Sequence, residues 1–517
     1  MQTSSVETVE NRTAARVIRL NAIDDVVVSL DALEPGSFIE AENIVVTAHI
    51  PAGHKIATRA IEKDAPVHRY GQIIGFASEA VEPGQHVHTH NVAMGDFARD
   101  YAFAEDANPT QLIEAPATFQ GIIRANGQVA TRNYIGVLTS VNCLATVARA
   151  IADHFRRDIN PGALANFPNV DGVVALTHGG GCGLDSEGEA LVVLQRTLSG
   201  YSNHPNFAGV LVMGLGCETN QIPKLLDTHG IEQSERLRAF TIQETGGTTK
   251  AIARGTELIR EMLPAANAFT REPVEASHLI IGLQCGGSDS YSGISANPVL
   301  GAAVDLLVKN GGTAILSETP EIYGAEHLII RCAITPEVGR KLVIRIRWWE
   351  AYCTRNGTQM NNNPSAGNKA GGLTTVLEKS LGGIAKGGST SLMDVDEYAQ
   401  PVKTRGLDTP GFDPISATGQ VAGGANLICF TTGRGSAFGC APAPSLKLAT
   451  NTALWERQSD DMDLNCGQIL EGRQTIEQMG AQLFDRLLRL ASGERSRSEL
   501  HGYGQQEFVP WQIGGFV

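Results

Sequence analysis

The sequence holds no apolar run near the ~18 residues of a membrane span, and its first twenty residues show no signal-peptide core. A cytoplasmic protein with no membrane partner is therefore expected. Basic excess is also missing: 41 Lys and Arg against 55 Asp and Glu leave a net charge of −14. That balance argues against nucleic acid or an anionic bilayer as partner. Nucleotide-binding motifs fail letter by letter. HGGGCGLDS, GLGCET and GRGSAF do not complete G-x-G-x-x-G, and GNKAGGLTT lacks the order of a Walker loop. There is no G-x-S-x-G elbow and no C-x-x-C pair among the nine cysteines. Dinucleotide-dependent hydride transfer and ATP chemistry are disfavoured. An odd cysteine count points to reduced thiols kept for metal or chemistry.

Four of those cysteines share one local setting, each after an apolar β-type run and inside a glycine-rich turn. They are Cys143 in IGVLTSVNC, Cys182 in GVVALTHGGGC, Cys217 in GVLVMGLGCE and Cys285 in LIIGLQCGGSD. Continuous Val/Ile/Leu runs read as strands buried on both faces, the mark of parallel sheets. Ligands of open α/β sheets bind beyond the carboxyl ends of the strands, so four thiols leaving such ends can meet at one site. Soft thiolates gathered there favour iron. The plainer alternative is that each is a buried small hydrophobe.

The chain is long enough for two or three domains. Residues 1–15 read as a disordered polar tail. Residues 16–94 carry short alternating strands with Pro-Gly and Ala-Gly turns, a compact all-β module. Residues 95–117 have neither period and read as a linker. A β–turn–helix text then defines two α/β lobes with largely parallel sheets, 118–268 and 269–493, with a weak break at 264–276. The helix IEQMGAQLFDRLLRLASG closes the second lobe with a glycine. The tail 494–517 is polar, then aromatic, and suited to docking on a neighbouring surface.

Other candidates lie at turns. His86, His88 and His90 alternate in QHVHTHN, a period that puts three imidazoles on one strand face and suits metal or polyol binding; a solvated strand is the competing reading. His54 follows a tight turn in PAGHKIA. His178, at a strand end before GGGCG, is ligand, acid or base unless backbone groups satisfy it. Asp289 follows Cys285 in a donor-rich turn, and Glu318 and Glu321 flank a proline after TAILS. Asn363, Asn368 and Lys369 sit in NNNPSAGNKAGG, where a lysine is either an anion anchor or a base. Arg434 in TTGRG offers a fork for a carboxylate.

Taken in order, GIIRANGQVATRNYIGVLTSVNC, THGGGCG, GLGCE, QCGGSDSYSGISANP, SETPEIYGAEHL, NPSAGNKAGG, TTGRG and DMDLNCG resemble the altronate/galactarate dehydratase family over nearly the whole chain. The N-terminal module is similar to that family's β-clip, or SAF, domain. The resemblance implies iron-dependent loss of water from a sugar acid, HVHTHN and EIYGAEHL being closer to the altronate than to the galactarate branch. On this view Cys143, Cys182, Cys217 and Cys285 hold Fe(II) or an iron–sulfur cluster. His178, Lys369, Glu318, His86 and His88 are the candidate catalytic groups, and His54, Asn363, Asn368, Arg434 and Asp289 contact substrate. The expected assembly is a homodimer. The alternatives are a galactarate dehydratase, a sulfolactate-type lyase (where the β-clip module is usually a separate chain) and a non-catalytic iron–sulfur or sugar-acid-binding protein.

Overall fold

A computed structural model describes residues 15–402 and 406–514. The expected N-terminal tail falls almost wholly outside that range. The described chain divides into two compact units, one built from the residues up to Phe97 together with Asn361–Leu381, the other from Ala98–Met360 and Gly382 onward. Among the described residues, no helix is long and apolar enough to cross a membrane.

The first unit is the all-β module plus an inserted segment. Strands Val17–Ile18, Val26–Ser29, Lys55–Ala57 and His86–Val87 form an antiparallel sheet in that order, and Pro66–Arg69, Gln72–Ala77 and Val92–Ala93 form another. The strands are short because a turn interrupts every apolar pair. Val27, Ile39, Ile44, Val46, Ile50 and Ile56 still close into one small core. The segment 361–381 was expected in the second lobe. It joins this unit instead, through Thr375 Oγ1, which donates to the Ile74 carbonyl, and through buried charges that Glu378 shares with Lys55 and Arg69.

The second unit holds two all-parallel sheets, in line with the sequence pattern. One runs in the order Gly172–Leu176, Tyr134–Thr139, Phe207–Gly214, Leu237–Thr241. The other runs Thr313–Leu316, Ile280–Cys285, Leu427–Thr432, Ser445–Ala449, Leu464–Asn465. Leu138, Val174 and Val212 of the first sheet share an apolar cluster with Ile315, Ile428 and Phe430 of the second, so the lobes are fused by a common core. The break expected at 264–276 is the end of helix Thr248–Asn267 followed by Glu272–Glu275, which pairs antiparallel with Thr118–Gly121.

Helix Ile476–Ala491 begins at a capping box between Thr475 and Gln478 and buries Met479, Leu483, Phe484, Leu487 and Leu490. It packs on helix Ala296–Lys309. Gly480 permits the approach, since a Cβ there would lie 2.5 Å from the Ala302 methyl. The expected linker has no strand or helix but is pinned by Tyr101, whose hydroxyl donates to Glu326 at 2.8 Å, and by Asp106 on Arg331 at 2.7 Å. The aromatic tail docks on its own chain, Trp511 stacking on Trp349 at 5.4 Å between centroids.

Candidate functional site

In the first unit four imidazoles gather. His54 follows Gly53, whose φ of +83° makes the turn that glycine favours. The strand ends at Val87, and Asn91 then folds the chain back: its Nδ2 donates to the His86 carbonyl and its Oδ1 accepts the His88 amide, both at 2.9 Å. The alternation is thus completed by a turn and not by a continued strand. Ring centroids lie 5.0 Å apart for His54 and His86, 4.7 Å for His54 and His88, and 5.3 Å for both His86–His88 and His86–His90. His54 is buried, His86 and His88 are half-buried and His90 is exposed.

Proton placement follows from the partners. His54 Nε2 donates to the Ala370 carbonyl at 3.3 Å, so in the neutral ring Nδ1 keeps its lone pair. His86 Nε2, 2.9 Å away, must then donate to it. Burial, and then neighbouring imidazoles, push His86 down to about 3; burial, and then Lys55, push His88 down to about 4. Burial also lowers His54. Neutral rings of this kind accept protons poorly and present N–H donors and lone pairs to a ligand. Lys369 precedes Ala370 on the short helix Ala366–Ala370. That helix starts from a Ser365–Asn368 capping box. Asn368 is thereby a structural cap, and Asn363 accepts from Lys379 at 3.0 Å. The structure thus collects His54, His86, His88, Asn363, Asn368 and Lys369 in one unit.

In the second unit the loops beyond three neighbouring parallel strands carry Cys143, Cys182 and Cys217, all exposed. The loops are laced together. Asn142 N donates to Gly180 O, Asn220 N to Gly181 O, and Asn220 Nδ2 to Ser140 O, each at 3.0 Å. At Gly181, φ +103°, a Cβ would lie 2.2 Å from Ser140 O, so only glycine admits this crossing. Glu218 accepts from Ser140 Oγ at 2.5 Å and from the Gly216 amide at 2.6 Å. Burial opposes its charge, but these donors outweigh it and hold the carboxyl below its usual range. His178 Nε2 donates to Thr139 O at 2.8 Å and its Nδ1 accepts the Gly180 amide at 3.2 Å. Both ring nitrogens are used by the backbone and burial pushes the group down to about 4. These contacts hold His178 in its loop.

Cys285 ends a strand of the other sheet and has different company. It is 2% exposed. Lys386 Nζ lies 3.0 Å from its sulfur and 3.0 Å from Glu318 Oε2, with Glu321 Oε2 3.5 Å from the sulfur. Burial works against the Lys386 charge, but Cys285, Glu318 and Glu321 outweigh it and raise the group. Glu318 is buried and paired with Lys386. Asp289, also buried, accepts from Thr450 Oγ1 at 2.9 Å and from the Tyr291 amide at 3.1 Å, which fixes the turn after Cys285. Burial raises it. Arg434 is exposed, its amide donating to Gly287 O at 2.9 Å. Among the described residues, two groups of metal-type ligands have donor atoms all within 4.8 Å of one another: His54, His86 and His88, and Cys285, Glu318 and Glu321. Cys143, Cys182 and Cys217 are not such a group.

Three family models match the chain in order. The altronate/galactarate dehydratase SAF domain covers residues 15–95, the second domain of D-galactarate dehydratase/altronate hydrolase covers 121–267, and the D-galactarate/altronate dehydratase C-terminal model covers 276–515. The chain belongs to the altronate/galactarate dehydratase family. It is 34% identical to the altronate dehydratase of Escherichia coli K12 over 94% of this chain and 97% of that one. It is 36% identical to the galactarate dehydratase (L-threo-forming) of the same organism over 95% and 96%. The (2R)-sulfolactate sulfo-lyase subunit beta of Chromohalobacter salexigens matches at 31% over 76% of this chain and 96% of its own. Enzymes named as dehydratases of sugar acids are hydro-lyases, and this chain is one of that family.

Sequence reasoning missed Lys386, Lys55, Arg69 and Glu378. Lys386 sits in GGIAKGG and Glu378 in VLEKSLGG, local texts of solvated residues. Only tertiary convergence buries them.

Proposed function

We propose that this sugar-acid dehydratase acts on D-altronate, giving 2-dehydro-3-deoxy-D-gluconate. The observation that carries this reading is the company of the imidazoles in the first unit. Lys55 and Arg69 are both committed to Glu378, and Lys369, partly exposed, directly precedes Ala370, whose carbonyl accepts from His54. One cation suits one carboxylate, and neutral imidazoles with His90 outermost suit hydroxyls. An aldarate brings a second carboxylate, whose burial without a partner costs several kcal/mol.

Loss of water requires removal of the proton α to the carboxylate and departure of the C3 hydroxyl. Lys369 anchors the carboxylate and holds C2 in place, and His90 orients the distal hydroxyls. The enol released then tautomerises to the keto acid.

Iron dependence is part of this proposal. A bound iron would supply Lewis-acid stabilisation of developing negative charge. The thiols of Cys143, Cys182 and Cys217 are exposed, soft and fixed on laced loops, which fits iron, and their sulfurs do not all lie within 4.8 Å of one another, a spacing that suits a cluster better than a single ion. The buried Cys285, already facing Lys386, is not counted with them. A keto-acid assay on anaerobically purified, iron-loaded protein over a panel of aldonates and aldarates tests the assignment. A higher kcat/KM for D-altronate than for galactarate is expected, and the reverse order overturns it.

A further inference from the structure

The nested histidines of the β-clip unit carry an inference that goes beyond the substrate reading and does not depend on it. We propose that His54, His86 and His88 form a mononuclear site for a divalent transition-metal ion of the zinc, cobalt or ferrous class, separate from the thiols of the second unit.

Geometry is the first support. One ring nitrogen from each residue lies within 4.8 Å of the others. Two nitrogens about 2.0–2.1 Å from a common ion at a tetrahedral angle stand roughly 3.3 Å apart, so a separation near 3 Å needs only a small adjustment to admit one. The His54 Nδ1 to His86 Nε2 separation is 2.9 Å.

The outer contacts also fit. A metal-bound imidazole commonly donates its other N–H to a carbonyl or carboxylate, which fixes the tautomer. His54 donates Nε2–H to the Ala370 carbonyl and turns Nδ1 inward. Asn91 ties the backbone of both His86 and His88, so two of the three ligands are held from behind by one side chain. His88 Nδ1 is buried with no hydrogen-bond partner, an arrangement that calls for an occupant or a water.

Donor chemistry narrows the ion. Three imidazoles with no carboxylate among them suit zinc, cobalt, iron, nickel or copper and do not suit magnesium or calcium. The Lys55–Glu378–Arg69 group nearby keeps one net positive charge, which weakens the site relative to a carboxylate-backed one; three-histidine sites nonetheless hold dications with an open fourth position. That position would take water or a hydroxyl or carboxylate oxygen. The competing cluster of Cys285, Glu318 and Glu321 already holds the Lys386 ammonium between sulfur and carboxylate.

The test uses the full chain with Cys143, Cys182 and Cys217 all changed to Ser, so that the exposed thiols cannot bind. After chelator treatment it is titrated anaerobically with Co(II) alone and followed by visible absorption. A single equivalent bound, with ligand-field bands and no sulfur-to-cobalt charge-transfer band, is expected. His86→Ala, and separately His88→Gln, should weaken that binding at least about tenfold with unchanged circular dichroism. Two variants guard against one failing to fold. Absence of stoichiometric cobalt, a charge-transfer band from Cys285, or binding indifferent to both substitutions would each overturn the site.

Discussion

Lys55 Nζ lies 2.9 Å from Glu378 Oε1 and 2.5 Å from the Gly372 carbonyl, with both side chains of the ion pair fully buried and their positions 323 apart in the sequence. Arg69 pairs with the same carboxylate, and Thr374 donates to it through its amide at 2.8 Å and its hydroxyl at 2.6 Å. This knot fastens the segment 361–381, with Lys369, to the β-clip strands that carry the histidines.

The knot makes the fold acid-sensitive in a defined window. Burial works against the Glu378 charge, but Lys55 and Arg69 outweigh it and hold the carboxyl down to about 2, from an ordinary 4.5. A depressed carboxyl contributes stability that is complete above its unfolded value and lost as pH falls toward the folded one. The loss should therefore run from about pH 4.5 to about pH 2. Lys55 is itself pulled down to about 8 by burial, only partly offset by Glu378; two cations facing one acid explain why the acid gains more. Glu378→Gln should cost about 3–5 kcal/mol at neutral pH, because it strands two buried cations, and should flatten the acid limb of a denaturation series. A variant as stable and as acid-sensitive as the parent would show the pair to be inert.

At the exposed thiols the opposite holds, since they support no packing. Cys182→Ser and Cys217→Ser should each reduce bound iron and turnover sharply while leaving the melting temperature within about 2 °C. Metal and sulfide analysis of anaerobic protein checks this. Full iron content in both variants would remove the thiols from the reaction.

What could be read in advance follows a physical line. Runs such as GVLVMGLGCE specify a strand buried on both faces and a glycine turn by local text alone, so the parallel sheets and the exposed Cys143, Cys182 and Cys217 were legible. The gathering of His54 with His86 was legible only in part, because Asn91, and not strand period, completes it. Cys285 has the same local text as the other three but ends a strand of the other sheet, where Lys386 and two glutamates surround it. Nothing local distinguishes it. At His178 the local text left two readings open, and only the fold shows both ring nitrogens meeting backbone groups.

Removing the module should have a mixed effect. The apolar clusters of the two parallel sheets lie entirely in the second unit, so deleting residues 1–94 should leave them folded and able to bind iron at the thiols. The same deletion takes Lys55, Arg69 and the Ile74 carbonyl from the segment 361–381, leaving Glu378 and Thr375 without those partners. Limited proteolysis should cut within that segment in the truncated protein and not in the intact one, and turnover should be lost with Lys369 no longer held. Intact turnover by the truncated chain would make the histidines bystanders.

Lys369 gives the sharpest test of the substrate reading, because two roles predict different kinetics. The residue is partly exposed, and Ser365 and Asn368 secure its helix through the capping box. Replacing it should leave the fold intact. As a carboxylate anchor its ammonium makes a charge-assisted hydrogen bond worth about 1.5–3 kcal/mol, so Lys369→Gln should lower kcat/KM by roughly 10- to 100-fold. Most of that loss should fall on KM, since the carboxylate is bound in the ground state as well as in the transition state. A base would behave differently. Its removal would depress kcat with KM nearly unchanged, and the acid limb of the pH–rate profile, where a base is lost by protonation, would disappear. Steady-state kinetics with D-altronate, run with Lys369→Arg alongside, separates the two: an anchor is partly rescued by arginine, whose fork also binds carboxylates, whereas a proton acceptor is not, because a guanidinium stays charged. A fall confined to kcat, with no rescue by arginine, would reassign Lys369 from holding the substrate to taking its proton.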